Sequence, residues 1–221
     1  MKTSIIFGLV AVLVVLGAFA GAIHYRDLSA CTDPMVLEAP VDINRATSIL
    51  YPGQMRGGDF KRHGGFRFDT ATSNAVEVRA PIDSTLSAAS RYIERGQLQY
   101  LLDFETECGV RYRFDHILAM PPALSAVLET LPAAKVDDSR TTGVSRGVRF
   151  KKGELIATEV GMPGNVFVDF GVYESGGLLQ FQGPQSNPLC WLDMLPASQA
   201  VIVKGLPAGD QNSGTKSEYC R

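Results

Sequence analysis

Three histidines occur in the 221 residues, and two of them stand where they could do chemistry. His63 opens the stretch "HGGFRFD", which runs to Asp69. A histidine followed by glycines begins like a metal site, yet Arg67 stands where zinc would want a carboxylate. On an extended strand His63, Gly65, Arg67 and Asp69 share one face, because side chains alternate with a period of two. His116 sits in "YRFDHI" and Asp169 in "NVFVDFGVYE". Asp115, next to His116, is expected to point to the opposite face of a strand and to meet a backbone amide or solvent. Cys108 and His116 are formally a nucleophile and base pair, but disulfide use of the cysteine is the stronger expectation. No GxSxG elbow, Walker-type loop or dinucleotide fingerprint is present.

The elements that must position these groups read as short antiparallel strands. "AVEVRAP", "STLSAASRYIE", "LQYLLDFETE" and "VRYRFDH" alternate apolar and polar residues, as strands with one wet face do. Gly96 and Gly109 fall where hairpin turns are needed. The one good helical segment is "PALSAVLETLP", Pro122 to Pro132, with proline near its start and proline ending it. After a polar connection, β character returns in "VRFKKGELIATEVG" and in "NVFVDFGVYE", where Tyr173 and Glu174 are read as finishing a strand. Trp191 and Leu192 are expected to pack a C-terminal extension onto the domain.

A chain of 23.9 kDa has room for one substantial domain. The net charge of -2 and pI near 5.9 give no electrostatic reason to expect nucleic acid. From Ser4 to Ile23 no charged residue interrupts an apolar run long enough to span a bilayer. The same run reads as a signal peptide, with an "AFA" cleavage site at Ala18 to Ala20. Both readings put the remainder on the extracytoplasmic side, tethered or secreted. Cys31, Cys108, Cys190 and Cys220 are an even number without a CxxC, so disulfides are expected over a thiolate zinc cluster. Three pairings are possible, and sequence does not choose between them. Cys190 with Cys220 and Cys31 with Cys108 is the pairing carried forward.

Four separated segments resemble, in order, the lysostaphin-like zinc endopeptidases, whose domain contains the duplicated hybrid motif. "HGGFRF" resembles the family's His-x-Gly-x-Asp-aromatic motif, and "VRAPIDSTLSA" its Val-x-Ala-Pro-x-Asp-Gly strand pair, with Ser84 in place of glycine. "YRFDHI" is similar to Tyr-x-His-Leu, and "VRFKKGELIATEVGMPGNVFVDFGVYE" to the hairpin and strand that end His-x-His-Phe-Glu-Val. The resemblance spans roughly residues 53 to 174 and implies a mainly β, antiparallel-sheet domain with its site on an open face. The domain organisation expected is 1–23 signal anchor or signal peptide, 24–51 stalk, 52–176 degenerate β domain, and 177–221 disulfide-stabilised extension.

Carried over residue by residue, the resemblance leaves His63 and His116 unchanged, with Arg67 for the metal-binding aspartate, Phe167 for one histidine and Asp169 for the other. A guanidinium has no lone pair for a metal and stays protonated. The expectation is therefore an Arg67–Asp169 ion pair in place of zinc, flanked by His63 and His116, in a domain with no catalytic residue and no cofactor. The resemblance implies a ligand from the cell envelope, a peptidoglycan peptide or glycan, or an envelope protein. The alternative is an active peptidase holding zinc or another divalent cation through His63, Asp69 and Asp169, with His116 as catalytic partner.

Overall fold

The structure is a computed structural model that describes residues 35–145, 147–174 and 187–221. The expected anchor or signal segment and Cys31 lie outside the described residues. No helix among the described residues is long and apolar enough to cross a membrane.

The described strands are β1 (Ser48–Leu50), β2 (Gln54–Arg56), β3 (Asp59–Lys61), β4 (Gly64–Arg67), β5 (Val78–Arg79), β6 (Ser84–Glu94), β7 (Gln97–Glu105), β8 (Val110–Ala119), β9 (Lys135–Val136), β10 (Thr142–Gly143), β11 (Arg149–Phe150), β12 (Leu155–Ala157), β13 (Glu159–Val160) and β14 (Phe167–Glu174). The main sheet runs β1-β4-β14-β8-β7-β6-β10. Every described pairing in it is antiparallel except β9, which runs parallel to β6. The mainly β, largely antiparallel expectation therefore holds. Gly96 and Gly109 close the β6–β7 and β7–β8 connections at φ of 77° and 70°, a backbone region that side chains disfavour.

Alternation assigns the two faces of the sheet. Phe66 on β4, Tyr112 and Phe114 on β8, Phe104 on β7 and Phe170 on β14 are buried together on one face. Trp191 closes that layer, its ring 5.1 Å from Phe66 and 5.2 Å from Phe170. The opposite face carries Gly65, Arg67, Phe167, Asp169, Asp115, Arg113 and Asp103, all of one parity in the register. The helix forms as Pro122–Leu128, proline at its first turn, and buries Leu124 and Leu128 four residues apart.

The expected stalk is corrected by the packing. From Met35 onward that segment belongs to the domain: Leu37, Val41, Ile43, Ala46 and Ile49 are core residues, and Ser48–Leu50 forms β1 of the main sheet. Its mixture of prolines and charges hid apolar residues spaced irregularly, which a loop laid across a core can bury without any period.

The C-terminal segment straps this edge. After the 3-10 turn Trp191–Met194 and the helix Ala197–Lys204, Ala208 bridges Ile49 in parallel. The Ile49 N–H donates to Pro207 O, and the Gly209 N–H to Ile49 O. An edge strand left open is a pairing hazard, and the strap covers this one. Gln54 Nε2 donates to Gly214 O and Lys216 O, and the Cys190–Cys220 disulfide ties the end of the strap to the domain. Cys108 is also disulfide-bonded, which removes it as a nucleophile.

A histidine–aspartate site on the open sheet face

Asp169 lies in the middle of β14, opposite Gly65 on β4 and Asp115 on β8. Gly65 has no side chain to fill the space beside it, and it can have none: a Cβ there would fall on the Val168 carbonyl oxygen. The imidazole of His63, two residues before Gly65, reaches Asp169, with Nε2 2.9 Å from Asp169 Oδ2. His116 Nε2 lies 3.6 Å from the same oxygen. Asp169 is buried, yet its pKa falls to about 2. Burial by itself would raise it, but His63 by charge and hydrogen bond, then His116 and Arg56, outweigh that cost.

His116 is held from behind. Its Nδ1 is 2.7 Å from Gln99 Oε1, and its ring packs on Phe167 at 4.6 Å between centroids. The backbone there is left-handed, with φ of 62°. This irregularity breaks strand alternation, so Asp115 and His116 both belong to the cluster. Asp115 Oδ1 accepts the His116 N–H at 2.8 Å, as expected for a backbone amide partner, and the Tyr92 hydroxyl at 2.6 Å. Burial pushes the Asp115 pKa up, against His116 and Tyr92, with Asp169 adding to the rise. A carboxyl raised in this way is stabilising when protonated, so its contribution is complete at low pH and is lost as pH rises through its titration. Asp115→Asn keeps an acceptor for both donors. It is expected to remove a decline in stability as pH rises above the ordinary carboxylate range, read from urea midpoints along a pH series; an unchanged decline would assign it to another group.

The expected Arg67–Asp169 ion pair does not form. Directly across the sheet Arg67 faces Ser48 and Phe167, and Asp169 is its diagonal neighbour. Asp69, in the turn just after β4, is reached with less ordering of a long side chain. Arg67 Nε and Nη2 donate to Asp69 Oδ1 at 3.0 and 2.6 Å, and Nη2 also to Asn165 Oδ1 at 3.1 Å. Asp69 is completed by the hydroxyls of Thr47 and Ser48. Some burial raises its pKa, but the Arg67, Thr47 and Ser48 hydrogen bonds lower it overall.

Asp69 is therefore turned away from His63 and Asp169, and the alternative ligand set is not assembled. Among the described residues no group of three His, Cys, Asp or Glu side chains is placed to hold a metal. A catalytic zinc needs three lone-pair donors and an open position. Here His63 Nε2 and Asp169 Oδ2, the atoms a metal would take, bond each other, and Arg67 supplies a cation nearby. The residues do not fit zinc.

Sequence reasoning missed Arg56. Its guanidinium is buried under the cluster, donating from Nη1 to Tyr51 O at 2.6 Å and from Nη2 to His63 O at 2.9 Å. Burial lowers its pKa, while Asp169 and Asp210 oppose the shift. A single arginine in "GQMRGGD" carries no pattern to mark it as buried; only the β2–β3 hairpin folding back over His63 does so.

The fold and this cluster define a mainly β domain whose open sheet face bears a buried, charge-compensated carboxylate between two histidines. No protein-family profile matches the sequence, and neither does any curated protein. Among solved structures the chain is similar to Csd3 of Helicobacter pylori, with a TM-score of 0.38 and 17% identity, covering 76% of this chain and 38% of that one. A similarity so distant over a minority of that protein does not define a family.

Proposed function

We propose that this chain is an extracytoplasmic, membrane-tethered protein whose lysostaphin-like domain binds cell-envelope peptide or glycan without cutting it. The observation that carries the reading is the 2.9 Å His63–Asp169 contact, with Arg67 held by Asp69. Two residues matched to the family's metal position bond each other, and the cation in the third place is neutralised locally. The four motifs in family order and the Cys190–Cys220 disulfide agree with a domain outside the cytoplasm. The exposed edge of His63 and the partly exposed Arg67–Asp69 pair offer a polar surface suited to a sugar or a peptide backbone.

The test uses the purified full-length chain. Elemental analysis after incubation with zinc is expected to find well below one metal per chain. Purified peptidoglycan is expected to co-sediment with the protein and to release no soluble fragments. Arg67→Ala is expected to weaken co-sedimentation about fivefold or more. Stoichiometric zinc together with crosslink cleavage lost in Asp169→Ala would overturn the reading in favour of the peptidase.

A further inference from the structure

The geometry points to a second ligand site, on the opposite edge of the sheet from His63, that takes a small carboxylate- or phosphate-bearing molecule. A cavity of about 270 Å³ opens there between β6, the segment after helix Pro122–Leu128 and the start of β10. Its wall is apolar where Ala89, Leu131, Pro132 and Ala133 meet, and cationic where Arg91, Lys135 and Arg140 stand.

Charge separates this cavity from two others on the surface. One of about 320 Å³ is lined by Asp42 and Glu77 against Arg45 and Arg79, two of each sign. Another, of about 420 Å³, has Asp83, Glu105 and Glu107 against Arg149, Lys151 and Lys152, three of each. The cavity beside Arg91 has three cations and one acid, Asp138, a surplus of two positive charges in a chain whose net charge is -2.

That surplus is not consumed by internal pairing. Arg140 takes Asp138 with both arms of its fork, at 2.7 and 2.6 Å. Among the described residues Arg91 spends only Nε, on Pro132 O at 2.8 Å. This anchors the guanidinium against the cavity wall and leaves its terminal nitrogens available. Neither Arg91 nor Lys135 has an ion pair among the described residues. A guanidinium fixed through one nitrogen has already lost most of its rotamer freedom, so an anion meeting it costs little further ordering. The hydroxyls of Thr141 and Thr142 also line the space and can donate to the same oxygens. A volume at the small end of ligand pockets restricts the occupant to a compact molecule, with its anionic group toward Arg91 and Lys135 and its apolar part on Leu131 and Pro132.

The purified full-length chain, labelled with nitrogen-15, is titrated with three probes: N-acetylalanine, its uncharged amide, and inorganic phosphate. N-acetylalanine is expected to shift the amides of Ala89, Ala133 and Thr141 saturably, and the uncharged amide to leave them in place. Phosphate binding as tightly as N-acetylalanine would assign the site to phosphate-bearing ligands; weaker phosphate binding would assign it to carboxylates with an apolar body. Lys135→Gln, an exposed change, is expected to weaken binding about fivefold, and Arg91→Gln with Lys135→Gln to abolish it. Ala133→Trp, which fills the space with the charges intact, is expected to abolish it as well. The proposal is overturned if neither anion gives saturable shifts at these amides, or if the double variant binds as the parent does.

Discussion

Gly65→Ala is expected to destabilise the protein by about 3 kcal/mol or more, a fall in melting temperature of about 6 to 12 °C for a chain of this size. The added Cβ would be driven onto the Val168 carbonyl oxygen, with Asp169 Cα 3.1 Å away. Both obstacles are backbone in the centre of the sheet, where β14 is held on its other side by β8. No flexible side chain can give way, so β4 and β14 would have to part at the position that presents His63 to Asp169. Gly143→Ala is the control, because a Cβ there meets nothing within 4 Å. It is expected to change stability by no more than about 0.5 kcal/mol. Thermal unfolding of the two variants checks the argument, and equal melting temperatures would mean that the close approach of β4 and β14 is not a constraint on the fold.

The His63–Asp169 contact carries the second large effect. His63→Ala strands a buried carboxylate, a change that typically costs about 3 to 5 kcal/mol when no other partner remains. Arg56 and His116 still face Asp169, so the lower end, about 3 kcal/mol, is expected in chemical denaturation at pH 7. The pH dependence identifies the cause. Asp169 titrates at about 2 in the folded protein against an ordinary 3.8. Its stabilisation is therefore present above the ordinary value and lost as pH falls through about 2. A shift of that size corresponds to roughly 2 kcal/mol. Asp169→Asn is expected to remove this loss between pH 4 and 2, whereas Asp115→Asn acts on the opposite slope, above the ordinary carboxylate range. If Asp169→Asn left the acid limb as steep as before, the carboxylate would not be the group held by His63.

These effects bear directly on the reading of a domain that binds and does not cut. The hydrogen bond between His63 and Asp169 makes entry of a metal between them compete with a contact the fold itself depends on. Arg67, neutralised by Asp69 just beyond β4, leaves a polar surface beside that contact.

Much of the architecture was legible in the sequence because strand alternation is a local property. "STLSAASRYIE" is β6 from end to end, "VRYRFDH" lies within β8, and the glycines expected at hairpin turns are at positive φ. His63, His116 and Asp169 were expected side by side from the sequence, and their side chains do meet. Trp191 and Leu192 were legible as the anchor of the extension, and both are buried. The segment "VRFKKGELIATEVG" read as β and became three short strands paired with three different partners, since alternation says nothing about where a chain must bend.

What the tertiary structure alone decided was pairing. Arg67 and Asp169 are complementary in sequence, but register places Gly65 opposite Asp169 and Phe167 opposite Arg67, so each charge takes a different partner from the one composition suggested. The left-handed backbone at His116 brings that histidine into a cluster whose face strict alternation gives to Asp115. Arg56 becomes a support of His63 only when the β2–β3 hairpin closes over it. Residue type and period determine which groups lie on which face; which of them touch depends on the alignment of strands distant in sequence, and on single residues whose backbone departs from the strand.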